Sequence, residues 1–257
     1  MLDEVIRVAA DTTYQLRFSF AANGLRELLR EYFVEVAPDD EIKKACWYVC
    51  LLTSKDRVGR RQRIQFAIYQ FIHPDQLPTE FVSDAESLAD SLKKAIDKLS
   101  KFTHITAEVL ATPPSAGEEV LTNALDDFAE LFEKIAEARK HVRDRLEMEI
   151  GTALDELFVS EFFDRIDELS THSRPQGASD VEFRIDSITA EGVAFSGTGS
   201  VDVDLQYGSD GDCARGDGVE WSSSLPFRFS GSVPAENLRR VQMDPRDVEV
   251  DTSSFDE

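Results

Sequence analysis

Residues 173–188, SRPQGASDVEFRIDSI, mark the point where the sequence changes its periodicity, and this change decides the fold. Before this stretch, apolar residues recur at three- and four-residue spacing, which is typical of one buried helix face. After it, residues 201–206 (VDVDLQ) alternate between apolar and polar, which predicts a β-strand with one buried face. Helices followed by strands predict an α+β fold with a small antiparallel sheet and argue against a Rossmann-type sheet.

The same patterns divide the chain into three parts. Residues 1–116 contain several helical stretches and predict a helical domain. In residues 117–172 the apolar positions continue with steps of three, four and seven, which predicts a long helix or a helical hairpin. Residues 173–257 are expected to form an antiparallel β domain with a C-terminal tail, and their first segment, residues 173–179, is interpreted as a linker.

The two N-terminal cysteines are expected to lie on one helix. Pro38 precedes three acidic residues and predicts a helix start, because proline suits the first turn and acids face the positive end of the helix dipole. The apolar spacing extends this helix to Leu52. Cys46 and Cys50 would then share a face, and without a nearby His or further Cys they are interpreted as buried thiols.

The chain is strongly acidic, with 28 basic against 50 acidic residues and a net charge of −22. Residues 1–119 carry 15 basic and 19 acidic residues, whereas residues 120–257 carry 13 and 31. An acidic field repels the phosphate backbone of nucleic acids. A nucleic-acid surface is therefore expected in the N-terminal part, unless metal ions bridge acids to phosphate.

The sequence shows no sign of membrane insertion or export. It contains no run of about 18 or more apolar residues, which a transmembrane helix would need. Its first residues, MLDEVIRVAA, carry acids where a signal peptide has a basic region. We therefore expect a cytoplasmic protein without a membrane partner.

A basic stripe lies in KKAIDKLSKFTHI, residues 93–105. Lys94, Lys98 and Lys101 recur on one helix face, and His104 follows at its C-terminal end. Histidine titrates near neutral pH and can act as a general acid or base, while lysine can hold phosphate. Lys98 and His104 also resemble the R-x4-6-H element of HEPN-type helical ribonucleases, with lysine in place of arginine. The alternative is a solvated basic face whose histidine interacts with the negative helix end.

A second basic segment is RVGRRQRIQFAIYQF, residues 57–71. Its clustered arginines, Arg60, Arg61 and Arg63, precede three aromatic residues. Arginines that hold the backbone and aromatics that stack on bases are typical of single-stranded nucleic-acid binding. The alternative is an amphipathic helix whose aromatic residues enter the core.

Two further segments could carry chemistry in the C-terminal half. DELSTHSRP, residues 167–175, places carboxylates and His172 at the junction between the helix and the strands, where they could form a site or only end the helix. VDVDLQYGSDGDCARGDG, residues 201–218, gathers aspartates among glycines. Carboxylates suit hard cations such as Mg²⁺ or Mn²⁺, although the same composition is typical of a polar turn. The predicted metal ligands are Asp204, Asp210, Asp212 and Asp217.

Taken in order, these segments resemble a known family. The segments that carry the resemblance are RRQRIQFAI (60–68), LSKFTH (99–104), DELSTH (167–172), VDVDLQYGSDGD (201–212), LPFRF (225–229) and VEVDTSSF (248–255). They are similar to the predicted nucleases associated with prokaryotic PIWI/Argonaute-like proteins. The resemblance implies a nuclease of a mobile-element or phage defence system, with nucleic acid as substrate and a PIWI/Argonaute-like or other defence protein as partner.

Two placements of a nuclease site stay open, beside one function without catalysis. A metal-independent site would use His104 as acid or base, with Lys98 and Lys101 on the phosphate, and would suit RNA, whose 2′-hydroxyl supplies the nucleophile. His172, at the junction of helix and strands, is a separate catalytic candidate. A metal-dependent site would use the aspartates to hold a divalent ion that activates water. The competing hypothesis is an accessory module that docks a defence effector. The long apolar helix stripe also favours a homodimer.

Overall fold

The computed structural model describes residues 2–50, 57–104, 106, 109, 111, 113–160, 164–170 and 172–253. It divides into two compact units, Met1–His141 and Val142–Glu257. Helices precede an antiparallel sheet, so the predicted α+β class is confirmed. Among the residues that the structure describes, none of the helices combines the length and the apolar character that crossing a membrane requires.

The first unit is helical. Its helices, in chain order, are α1 (Leu2–Ala10), α2 (Arg17–Val36), α3 (Asp39–Ile42), α4 (Arg60–Tyr69), α5 (Thr79–Phe102) and the first part of α6 (Pro114–Ser160), with a 3₁₀ turn at Pro74–Gln76. The apolar faces of α2 and α5 meet in the core, where Leu25, Leu29, Leu92 and Leu99 are fully buried. This burial of the i, i+3 and i+4 positions explains the periodicity seen in the sequence.

The helix predicted to run from Pro38 to Leu52 is much shorter. It ends at Ile42, and Leu52 lies outside the described residues. The prediction that Cys46 and Cys50 are buried is also wrong, because both are exposed. Here the buried side chains of the segment are Ile42 and Ala45, so too few apolar positions face the core to extend the helix past its first turn.

The apolar stripe that begins near Leu121 forms one long helix, α6, and not a hairpin within the range Pro114–Ser160. The boundary between the two units lies inside this helix, after His141. The short helix α7 (Asp164–Asp167) follows. Within the second unit α6 buries Ile150, Leu154 and Phe158, and the Phe158 ring lies 5.0 Å from that of Phe227 on the sheet.

The described strands of the second unit form a four-stranded antiparallel sheet. They are β1 (His172–Ile188), β2 (Val193–Tyr207), β3 (Val219–Val233) and β4 (Val248–Val250), in the order β1-β2-β3-β4. A short helix, α8 (Asp210–Arg215), connects β2 to β3, and a 3₁₀ turn, Pro245–Asp247, precedes β4. The sheet buries the apolar residues that alternate along β2, including Val201, Val203 and Leu205.

The interpretation of residues 173–179 as a linker is wrong. These residues are the first part of β1 and pair with residues 200–205 of β2. The pairing register shifts between Pro175 and Gly177 and again between Ser179 and Glu182. Because β1 is an edge strand, one of its sides forms no ladder, and it accommodates proline and bulges more readily than a strand paired on both sides.

Candidate functional site

The lysine stripe of α5 faces solvent. Lys94, Lys98 and Lys101 are exposed, and His104, just beyond the end of the helix, is exposed as well. Among the described residues, no carboxylate lies within ion-pair distance of Lys98 or Lys101, whereas Lys94 helps to lower the pKa of Asp90. Lys98 and Lys101 on the helix, and His104 just beyond it, are therefore accessible to an anionic ligand.

The three arginines of α4 are bound to carboxylates. Arg60 forms an ion pair with Asp97, and Arg61 forms ion pairs with Glu86 and Asp90, all on α5. The third arginine, Arg63, binds residues near the start of α3 and not α5. It donates to the carbonyl of Ala37, at 2.8 Å, and forms an ion pair with Asp39 at the start of α3. The arginines thus tie α4 to its neighbouring helices.

These contacts lower the pKa values of two of the carboxylates that bind the arginines. The pKa of Asp90 lies below its ordinary value, because Arg61 donates a hydrogen bond to it and adds its positive charge. Burial raises the pKa of Asp97, but hydrogen bonds and charges from Lys93 and Arg60 outweigh that effect and leave the pKa lowered. Both carboxylates are therefore ionised at neutral pH and neutralise the arginines that they bind.

The aromatic residues of α4 and the segment after it lie in the core. Phe66, Tyr69 and Phe71 are only 4%, 2% and 7% exposed. Their rings contact other aromatics, as in the edge-on pair of Phe66 and Phe71 at 5.1 Å. In this conformation their faces are covered and a base could not stack on them, so the structure favours the amphipathic-helix interpretation of this segment.

In the second unit, the junction segment and the aspartate-rich segment lie together. His172 is the first residue of β1, is exposed, and lies directly opposite Gln206 of β2. Residues opposite each other in an antiparallel pair project from the same face, so His172 and Gln206 are neighbours. Gln206 Nε2 in turn donates to Asp210 Oδ1 at 3.0 Å.

Asp167 precedes this strand, and only one of its two carboxylate oxygens has a hydrogen-bond partner among the described residues. Its Oδ1 accepts from the Ser173 hydroxyl. Its Oδ2 is buried and has no hydrogen-bond partner among the described residues, and the same is true of the Ser170 hydroxyl. Buried oxygens without partners are rare in proteins and are candidates for a bound water or a ligand group.

The four aspartates predicted as metal ligands do not converge. Asp204 accepts from Ser222 and Gln176, at 2.7 and 2.9 Å. Asp212 accepts from the backbone and hydroxyl of Ser209, forming a capping box for α8, and from Arg215.

The last of the four, Asp217, forms a long ion pair in which its Oδ2 lies 3.9 Å from Arg215 Nε. Within the described part of the chain, no group of three or more His, Cys, Asp or Glu side chains could hold a metal ion. Gln206 thus lies opposite His172 in the sheet and donates to Asp210, whereas the other aspartates are engaged by donors of the protein.

Two family models with the description "Predicted pPIWI-associating nuclease" match the chain, one over residues 1–128 and one over residues 135–256. The chain belongs to this family. Comparison with curated proteins and with solved structures finds no significant match. The two family segments divide the candidate sites between them. The lysine stripe and His104 lie in the first segment, and His172 with the aspartates lies in the second.

Sequence reasoning missed the acids that bind the arginines of this family member. Glu86, Asp90 and Asp97 recur at four and seven residues along α5 and so share one helix face. The spacing alone predicts a shared acidic face, but it does not show that α4 packs against this face and places its arginines there. Gln206 was missed too, because a strand register cannot be read from one strand alone.

Proposed function

We propose that the chain is a nuclease of a prokaryotic defence system against mobile elements and phages, acting with a PIWI/Argonaute-like protein. The single observation that carries this proposal is the family match, whose two segments together span nearly the whole chain and whose description names both a nuclease and PIWI association. The structure adds an exposed cationic face that could receive a phosphodiester.

We place the scissile phosphate at the lysine stripe. In a chain with a net charge of −22, lysines that no carboxylate of the described residues neutralises can attract a phosphate. Lys98 and Lys101 would hold its oxygens, and His104 would accept a proton from an attacking hydroxyl.

This arrangement suits RNA, whose 2′-hydroxyl supplies the nucleophile. His104 takes the proton of the 2′-hydroxyl, the 2′-oxygen forms a bond to phosphorus, and the bond from phosphorus to the 5′-oxygen breaks. The leaving 5′-oxygen takes a proton from solvent. The products are a 2′,3′-cyclic phosphate and a free 5′-hydroxyl, and the step needs no metal ion.

His172 is proposed as a second acid–base group, on the face that it shares with Gln206. If a divalent ion takes part in cleavage, Asp210 is the carboxylate that we place with His172, since Gln206 lies opposite His172 and donates to Asp210. Asp204 and Asp212 would first have to give up the donors that now bind them.

The test is a cleavage assay of the full chain, alone and with its PIWI/Argonaute-like partner, on labelled single-stranded RNA and on DNA of the same sequence. We expect cleavage of RNA that persists in EDTA and that yields a cyclic phosphate end. Cleavage abolished by EDTA would move the site to the His172 face. The absence of cleavage of either substrate, with the partner present, would contradict the proposal.

A second function, docking of a defence effector without catalysis, is favoured by one observation. The arginines and aromatics of α4 are used within the unit, so this helix serves as a structural element and offers no nucleic-acid surface. Under this hypothesis the purified chain binds its partner at micromolar concentrations or below but cleaves no nucleic acid, a result that the same assay would give.

A further inference from the structure

A cleft of about 590 Å³ opens in the second unit and uses none of the residues assigned above. Its walls come from α7, from the interrupted part of β1, from the middle of β2 and β3, and from the end of β4. The lining residues that matter here are Arg165, Asp180, Thr198, Arg228, Glu249 and Asp251. Cavities of this size are typical of small-molecule or single-nucleotide sites.

Two guanidinium groups line this cleft. Arg165 and Arg228 are exposed, and among the described residues no carboxylate lies within ion-pair distance of either. They nevertheless lie close to Asp251, whose pKa is lowered first by hydrogen bonds from Ser253 and then by the charges of both arginines. Arginine donates two parallel hydrogen bonds, which is the geometry that a phosphate accepts best.

The cleft also carries acceptors. Asp180, Glu249 and Asp251 line it, so its formal charge does not favour a bare anion. A ligand that binds both the two arginines and the three carboxylates must combine a phosphate with hydrogen-bond donors. A nucleotide does so, because the exocyclic amino groups of its base can donate to carboxylates, as in the contact of Asp or Glu with cytosine N4.

The backbone at Asp180 supports a binding role. Asp180 has a φ of 50°, which L-residues rarely adopt, and it lies where the pairing of β1 with β2 is interrupted, between Ser179 and Glu182. Backbone held in such a conformation is found preferentially at functional sites. Here it brings a carboxylate to the wall of the cleft.

We propose that this cleft binds one nucleotide of a single-stranded nucleic acid, with its phosphate at Arg165 and Arg228 and amino groups of its base at the carboxylates. The strand must be single, because a cleft of this size can admit one base only when that base is unpaired and unstacked from its neighbours. This inference rests on the proposed function, for which it names the form of the substrate and a second point of attachment outside the lysine stripe.

The test measures binding apart from cleavage. Fluorescence anisotropy with a labelled single-stranded 2′-O-methyl RNA, which lacks the nucleophile, gives a Kd for the full chain and for Arg165→Gln/Arg228→Gln. We expect the double variant to bind at least about tenfold more weakly. The slope of log K against log salt should fall by about 0.7 for each phosphate that the variant no longer neutralises. Arg239→Gln/Arg240→Gln removes the same charge from exposed positions outside the cleft and should change Kd much less.

A second pair of variants tests the carboxylates. Asp180→Asn/Glu249→Gln should weaken binding of a cytidine-rich oligonucleotide more than that of a uridine-rich one, because uracil lacks an exocyclic amino group. Tighter binding of both oligonucleotides would show that the acids only repel the phosphate and would overturn this part of the proposal. Thermal unfolding of each variant checks that it is folded, and Arg228→Lys replaces Arg228→Gln if it is not.

The outcomes separate the two proposals. Equal Kd values for the parent, the cleft variant and the Arg239→Gln/Arg240→Gln control would overturn the cleft, whether or not RNA is cleaved. Arginine-dependent binding without any cleavage would instead overturn the proposed nuclease and leave the nucleotide site standing. A preference for the duplex over the single strand of the same sequence would also contradict the inference.

Discussion

Arg61 Nε lies 2.7 Å from Asp90 Oδ1, and this contact joins two segments that the sequence presents as separate basic motifs. Arg61 belongs to α4, and Asp90 belongs to α5, the helix that carries the lysine stripe. The same guanidinium also binds Glu86, one turn earlier on α5. Arg60 and Arg61 of one motif are therefore neutralised by the helix of the other, which leaves Lys98 and Lys101 as accessible cations on that helix.

The first prediction concerns this ion pair. Arg61→Gln should lower the free energy of unfolding by about 1 kcal/mol, since it removes two partly exposed ion pairs, those with Glu86 and Asp90. Urea unfolding measures the change, and Arg57→Gln, an exposed arginine without an ion pair among the described residues, is the matched control. A variant that binds RNA more weakly but unfolds like the parent would show that Arg61 contacts nucleic acid.

The second prediction concerns His104. His104→Ala should abolish cleavage and leave the melting temperature nearly unchanged, because the side chain is exposed. His73→Ala is a suitable control, since His73 Nδ1 accepts from the backbone of Asp75 and caps a 3₁₀ turn. It should show the reverse pattern, with a small loss of stability and full activity. Cleavage that survives in His104→Ala would return the assignment to His172.

The third prediction concerns alkaline pH. Burial raises the pKa of Tyr69, and the nearby Glu86 carboxylate raises it further. A group whose pKa is higher in the folded state stabilises the fold below its unfolded pKa, here about 10, and this contribution is lost as the pH rises above that value. The loss amounts to about 1.4 kcal/mol per pH unit until the folded-state pKa is reached.

Tyr69→Phe tests this linkage. At pH 8 the variant should be about 1 kcal/mol less stable than the parent, because it lacks the 3.2 Å hydrogen bond to Glu86. The difference should vanish near pH 11, where only the parent has a buried phenol to ionise. Tyr14→Phe, at an exposed tyrosine, should show no such convergence in urea unfolding at the two pH values.

The fourth prediction compares two glycines. A Cβ at Gly197 would lie 2.3 Å from the Glu182 carbonyl oxygen and 2.5 Å from the Phe229 ring, so Gly197→Ala should destabilise the protein by about 1–3 kcal/mol. A Cβ at Gly151, inside α6, would meet no atom of the described residues within 4 Å, so Gly151→Ala should stabilise it by about 0.5–1 kcal/mol. Thermal or urea unfolding measures both changes, and shifts of the same sign in the two variants would contradict this packing.

The division into helices and strands was predictable because it depends on local periodicity. The apolar steps of α6 and the alternation of VDVDLQ each report which face of one element is buried. The interpretation of residues 173–179 as a linker failed for the opposite reason. Proline and glycine usually end a strand, but their tolerance at an edge depends on the neighbouring strand, which the local sequence does not reveal.

The sequence was sufficient to predict which residues belong to the candidate sites, but not which residues they contact in the fold. The lysines of α5 are exposed, as their helical spacing implies, and His104 beyond the helix end is exposed as well. The ionic partners of Arg61 and the position of His172 opposite Gln206 depend on which elements pair and in what register. Both arise from contacts between residues more than 20 positions apart, and no local pattern encodes them.

The continuity of α6 has a consequence for how such a protein can evolve. The gap between the two family segments, residues 129–134, and the boundary between the two units both lie inside this helix. A junction in a loop accepts insertions freely, whereas each residue inserted into a helix turns the side chains that follow by about 100°. An insertion at residues 129–134 would therefore turn Ala138 away from the core of the first unit, so a change of length at this join is expected to be tolerated less well than one in a loop.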